Sequence, residues 1–384
     1  MKFVKNILFS LLLVACSTPS VREVRQDPSS FGIQDAMLDS IVDDLCNKQI
    51  VLLGEHPSHA FGRSFELKSR IVSRLIENCG FNVFLIESGI YGYLNGTPPD
   101  LHAAIKPLWS ETREFEPLIP FLAEKVRMKK LWMGGIDDQV DRNDTYARFQ
   151  MEKDLTSILP VRDRENCLVQ FQGSEMLHYP VSLPATEDAL FGCLKEIKRK
   201  SRTQEQLQMA ANLERMFLRS FQRERGAISE EKEWMERDRS MFLNVRWFLK
   251  RFPKNSKVIV WAANSHVAKA WSGSSGPKES LGSLMQKEFK GVYSVGFTAA
   301  TGSQSMLGKP ASPLEPAPAD SIESKAFEGS GDPLKYLNHD QLTAYGNILT
   351  RALGSKFKSA PLDQMFDALM IIKDEHSTHS LKPQ

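Results

Sequence analysis

The stretch 49-QIVLLGEHPSHAFGRSFELKSRIVSRLIENCGFNVFLIE-87 decides the fold. Its opening, 49–55, is apolar and β-branched without alternation, the pattern of a strand buried on both faces of a sheet. Residues 64–80 then repeat apolar side chains at intervals of three and four and stop at Gly80, which reads as a helix with a glycine terminator. The buried-strand pattern returns at 81–87. Strand, loop, helix and strand in one short span make a βαβ unit, whose crossover is right-handed onto a parallel sheet. Ligands of such sheets gather beyond the carboxyl ends of the strands. Glu55 and Glu87 stand at two such ends, so this reading expects two carboxylates on one rim, carried by neighbouring strands.

Working outward, 35–48 has the spacing of a helix with one buried face. Further strands are expected at 131–137, 166–173, 257–264 and 292–298. Residues 204–226 and 230–252 read as long amphipathic helices inside a helical insertion at about 185–252. The Pro- and Ser-rich segment 303–321 reads as a loop. The fold class is therefore α/β, with a mixed, mainly parallel central sheet flanked by helices, built as a single domain over 33–384.

The amino terminus differs in kind. Lys2 and Lys5 precede the apolar run 7-ILFSLLLVA-15, a secretory signal too short to span a bilayer as a permanent helix. The tetrapeptide 13-LVAC-16 has the order of a bacterial lipobox, so 1–16 is expected to be a lipoprotein signal ending at a lipidated Cys16. Residues 17–32, with Pro19 and Pro28, suit a flexible tether. The expected location is the bacterial cell envelope, lipid-anchored at the periplasmic face or outer membrane. With 49 basic and 47 acidic side chains and a formal charge of +2, the chain carries no footprint for nucleic acid or an anionic membrane surface. The expected partner is a small-molecule substrate, with the membrane touched only through the anchor. Cys46, Cys79, Cys167 and Cys193 form no C-x-x-C pair; one or two disulfides and buried free thiols are both compatible with them.

Chemistry concentrates at the strand ends. His59 follows the first strand within reach of Glu55, and His266 follows the strand at 257. A histidine beside a carboxylate is held in one tautomer and kept basic, as a general base for water requires. His59, Glu55, His266 and Glu87 are therefore the catalytic candidates. His56 and Asn264 are the candidate substrate contacts. His102, His178, His339, His376 and His379 lack a strand-end setting and read as surface or structural. H-E-x-x-H and other metal spacings are missing, as are the G-x-S-x-G elbow, the P-loop and the dinucleotide fingerprint. Neither metal nor cofactor is expected.

These residues together resemble the erythromycin esterase family. The resemblance runs through 53-LGEHPSHAFGRSFELKSRIVSRLIENCGFNVFLIES-88, 109-WSETREFEPLIPFL-122, 132-WMGGIDDQ-139, 237-RDRSMFLN-244 and 258-VIVWAANSHVAKA-270. It continues in 282-GSLMQKEFKGVYSVGFTAATGS-303 and 366-FDALMIIKDEHS-377. It implies a metal-independent hydrolase in which the leading histidine, His59, activates water to open an ester or a macrolide lactone. Glu55, Glu87, Arg237 and His266 then take the family's other site positions. The chain departs from the pattern by one extra residue between Glu55 and His59, by Ala60 and Arg63, and by Ala263 where the family carries the first histidine of W-A-H-N-x-H. The alternative expectation is a non-catalytic ligand-binding lipoprotein, for example one that binds haem, on the same fold.

Overall fold

The computed structural model describes residues 35–95, 99–141, 143–174, 186–270, 272–273, 276–305 and 309–382. The leader, Cys16, the tether and His178 lie outside the described residues. The opening stretch folds as β1 (Ile50–Leu53), α1 (Gly62–Asn78) and β2 (Phe81–Gly89). The remaining strands of the main sheet are β3 (Trp132–Asp137), β4 (Lys257–Trp261), β5 (Val292–Gln304), β6 (Leu334–Asn338) and β7 (Ala368–Glu375). They lie in the order β3-β2-β4-β1-β5-β7-β6, all parallel except β6, which runs antiparallel to β7. The short strand Ser312–Pro313 pairs with the far end of β5.

Every residue of β1 is buried, because parallel strands flank it and helices cover both faces. That is why its sequence shows no alternation. Helix α1 buries Phe65, Leu67, Ile71, Val72 and Leu75 on one side, each such side chain contributing on the order of 1.5–3 kcal/mol of transfer free energy. Gly80, at φ +72°, takes the left-handed turn that ends it. Among the described residues no helix is long and apolar enough to cross a membrane.

The structure alters the sequence reading in three places and settles a fourth that was open. The carboxylate-bearing strands are not neighbours, since β4 lies between β1 and β2. The span 166–173 belongs to a helix, Val161–Gln172, in which Cys167 and Phe171, four residues apart, are the buried side chains. A short run with Val169 and Phe171 mimics a strand, but Pro160 before the first turn and the spacing of the buried pair favour the helix. The helical segment also begins well before 185, with Thr145–Phe149, Met151–Thr156 and Val161–Gln172 preceding Glu187–Lys200, Gln204–Glu224 and Glu230–Arg251. Finally, both cysteine pairs are disulfides, Cys46 with Cys79 and Cys167 with Cys193.

Candidate functional site

The pairing of β1 with both neighbours ends at Leu53, opposite Trp261 and Val295, so Gly54 and Glu55 emerge at the carboxyl rim. Gly54 is required there, because a Cβ would sit 2.1 Å from Asn264 Oδ1 and 2.9 Å from the Val295 carbonyl. On β2 the pairing with β3 shifts between Ile86 and Gly89, an irregularity at Glu87 and Ser88 of the kind that re-aims side chains. Two adjacent N–H groups after β4 join the two carboxylate-bearing ends. Ala263 N–H donates to Glu87 Oε2 at 3.0 Å, and Asn264 N–H donates to the Glu55 carbonyl at 2.7 Å.

Around Glu55, which is fully buried, three donors converge. His59 Nδ1 donates to Oε1 at 2.6 Å, Trp109 Nε1 donates to the same oxygen at 2.8 Å, and Lys68 Nζ donates to Oε2 at 2.7 Å. Burial penalises the carboxylate, but Lys68 and then His59 outweigh it and hold Glu55 below the usual range. Burial likewise pushes the Lys68 ammonium down to about 8, so the pair is ionised near neutrality. That ammonium also sits 3.7 Å above the Trp261 ring. His59 adopts φ +52°, and its N–H closes the turn onto the His56 carbonyl at 2.8 Å. A bulky residue in the left-handed region is strained, and such strain gathers at functional positions.

A second cluster faces the first. Arg237 Nη2 bridges Glu87 Oε1 at 2.9 Å and Asp137 Oδ2 at 2.6 Å, while its Nε donates to Asp137 Oδ1 at 3.1 Å. Lys106 Nζ supports Asp137 at 2.6 Å. His266 lies between two carboxylates, with Nε2 3.2 Å from Glu87 Oε1 and Nδ1 hydrogen-bonded to Asp238. Trp234 stacks on its ring at 5.0 Å. Burial disfavours the His266 cation, yet Asp238 and Glu87 outweigh burial and raise it to about 9. Burial also opposes ionisation of Glu87, but His266, Arg237 and His59 hold it well below the carboxylate range. Four cations, Lys68, Lys106, Arg237 and His266, thus face four carboxylates, Glu55, Glu87, Asp137 and Asp238, which satisfies the buried charges pair by pair. Because the adjacent residues Ala263 and Asn264 bind the Glu87 carboxylate and the Glu55 carbonyl, both clusters stand at one rim of the sheet.

His56 and Asn264 sit differently from the sequence expectation. His56 is 1% exposed, stacks on Phe61 at 4.4 Å and is kept neutral by burial, which lowers it to about 4. The amide of Asn264 serves backbone: Nδ2 donates to the Phe297 and Ala352 carbonyls at 2.6 Å each, and Oδ1 accepts from Phe297 N–H at 3.0 Å. It staples β4 to β5 rather than facing the cleft. His376 and His379, read as surface or structural residues, meet Glu114, with His379 Nδ1 2.5 Å from Glu114 Oε1.

The fold agrees with the comparisons. A family model described as erythromycin esterase matches residues 76–375. The chain belongs to the erythromycin esterase family. Among solved structures it is similar to a succinoglycan biosynthesis protein, at 17% identity and a TM-score of 0.69, over 91% of this chain and 93% of that one. It is similar to a Bacillus cereus protein at 16% identity and a TM-score of 0.69, over 91% and 94% of the two chains. It is also similar to a mutant of the erythromycin esterase EreC in its open conformation, at 17% identity and a TM-score of 0.65, over 90% and 95%. No curated protein sequence matches significantly.

Lys68, Trp109, Asp137 and Asp238 escaped the reading of single residues, although all four lie in the segments that carry the family resemblance. For Lys68 a signal was present: it falls among Ser64, Phe65, Leu67, Ile71 and Val72 on the buried face of α1. A lysine there demands a buried carboxylate.

Proposed function

We propose that this protein is an exported, lipid-anchored hydrolase that opens an ester or lactone by metal-independent attack of water activated by His59. One observation carries the reading: His59 Nδ1 rests on Glu55 while Lys68 and Trp109 neutralise and orient that carboxylate. The Nδ1–H tautomer leaves Nε2 as a base for water. As water adds to the carbonyl carbon, His59 takes its proton and becomes an imidazolium facing Glu55. The negative charge develops on the carbonyl oxygen, and His59 returns the proton to the departing alkoxide. Arg237 Nη1, which lies 3.4 Å from His266 Nε2 and has no carboxylate partner among the described residues, is the donor suited to that oxyanion. Glu87 and Asp137 aim the guanidinium, and His266, clamped by Glu87 and Asp238, fixes Glu87. The substrate is an ester or lactone, and Ala263 in place of a family histidine points away from macrolides.

Purified protein is assayed against a panel of lactones and aryl esters, with His59→Ala as the control. Turnover equal in the two proteins defeats the mechanism. The alternative, a haem-binding lipoprotein, predicts a Soret band on haem titration and no turnover. Anchoring is checked by metabolic labelling with a fatty acid, which must be lost in Cys16→Ser.

A further inference from the structure

A cavity of about 740 Å³ lies between the segment after His266 and the hairpin formed by Asn347–Thr350 and Lys358–Pro361. None of Glu55, His59, Glu87, Arg237 and His266 lines it. Five lysines do, Lys269, Lys278, Lys287, Lys356 and Lys358, against one glutamate, Glu279. That glutamate is already bridged by Arg239 at 3.0 Å and Lys287 at 3.3 Å. Lys269 is held by Asp367 at 2.6 Å, and Lys278 lies 3.8 Å from Glu231. Lys356 and Lys358 have no carboxylate partner among the described residues. The lining therefore carries a surplus of positive charge, with Leu353, Pro361 and Met365 forming an apolar part of the wall. The volume is that of a small-molecule site.

We propose that this cavity binds an organic anion, a carboxylate or phosphate ester with a short apolar portion, the lysines taking the anionic group and the hairpin wall the apolar one. The cavity communicates with the catalytic cluster. Lys278 Nζ stands 5.8 Å from the centre of the Trp234 ring, which stacks on His266. Ser283, also in the lining, belongs to the helix Leu281–Glu288, whose first N–H binds Asp238 at 3.0 Å. The same chemistry serves an anionic arm of the substrate or a separate anionic ligand.

Isothermal titration of the full-length protein with octanoate and octyl phosphate, against the neutral octanamide, tests the site. The anions are expected to bind one per chain, octanamide at least about tenfold more weakly, and added salt to weaken only the anions. Lys356→Glu/Lys358→Glu is expected to weaken both anions about tenfold or more with an unchanged unfolding midpoint; Lys356→Gln/Lys358→Gln gives a smaller loss in the same direction. Octanamide binding as tightly as octanoate, or anion affinity unchanged in both variants, overturns the proposal. Competition of octanoate with ester turnover assigns the cavity to the substrate, and binding without competition assigns it to a separate ligand. The competition arm rests on the hydrolase reading and the binding arm does not, so a protein that turns over no ester still decides whether the anion site exists.

Discussion

The pair Glu55–Lys68 offers a test that separates stability from catalysis. Both side chains are fully buried, and the ammonium donates to the carboxylate at 2.7 Å. Removing one partner of such a pair leaves an uncompensated buried charge at a cost of about 3–5 kcal/mol, whereas replacing both with uncharged groups of similar volume is often nearly neutral. Glu55→Gln and Lys68→Met should therefore each lower the unfolding free energy by about 3–5 kcal/mol near pH 7. The double variant E55Q/K68M should lose less than either single variant in urea unfolding, so that the two losses do not add. Activity should behave otherwise. A glutamine keeps the shape at position 55 but not the charge that holds the Nδ1–H tautomer of His59 and stabilises its imidazolium. Ester turnover should fall about a hundred- to ten-thousand-fold in E55Q and stay low in the double variant, although that variant loses less stability. Losses of stability that simply add would refute the buried-pair argument. Turnover in E55Q within a factor of about ten of wild type, or rescued in the double variant, would refute the role of Glu55.

Other expectations follow from the same contacts. His266 is raised from 6.5 to about 9, so its contribution is fully present below pH 6.5 and is lost as pH rises through 9, amounting to roughly 3 kcal/mol. Lys68, lowered to about 8, acts in the opposite sense above that pH; the readout is thus the difference between wild type and His266→Asn, which should shrink from pH 6.5 to 9.5, and a constant difference would count against the assignment. Gly54→Ala drives a methyl onto Asn264 Oδ1 and the Val295 carbonyl and should cost about 1–3 kcal/mol together with most activity; a variant of normal stability would mean that the rim is less rigid than argued. Glu114→Ala removes the carboxylate that accepts the His379 backbone and ring donors, and because His379 is exposed the global loss should be about 1 kcal/mol or less. Hydrogen exchange should instead quicken locally over 376–382, and unchanged protection there would argue against the tether.

The βαβ core and the cluster around Glu55 and His59 were legible because they rest on local pattern, and the family because such segments recur along the chain. The apolar runs at 49–55 and 81–87 flank a helix spacing that ends at Gly80, and that succession has few other solutions. The strand assigned to 166–173 failed for the converse reason: a short apolar run carries too little period to separate strand from buried helix, and the Cys167–Cys193 contact that favours the helix is not local.

The sequence by itself determined which residue types meet the carboxyl rim, since two glutamates and two histidines end or follow strands of one sheet. Only the tertiary structure decided their partners. Lys68 reaches Glu55 from the next helix, Trp109 reaches it from a separate segment, and β4 inserts between β1 and β2 to bring Ala263 N–H and His266 onto Glu87. The physical reason is that strand order is set by long-range packing, whereas ionisation depends on which opposite charge lies within a few ångströms. A buried carboxylate and a buried lysine are each unfavourable in their own sequence context, and only the fold that joins them makes either acceptable.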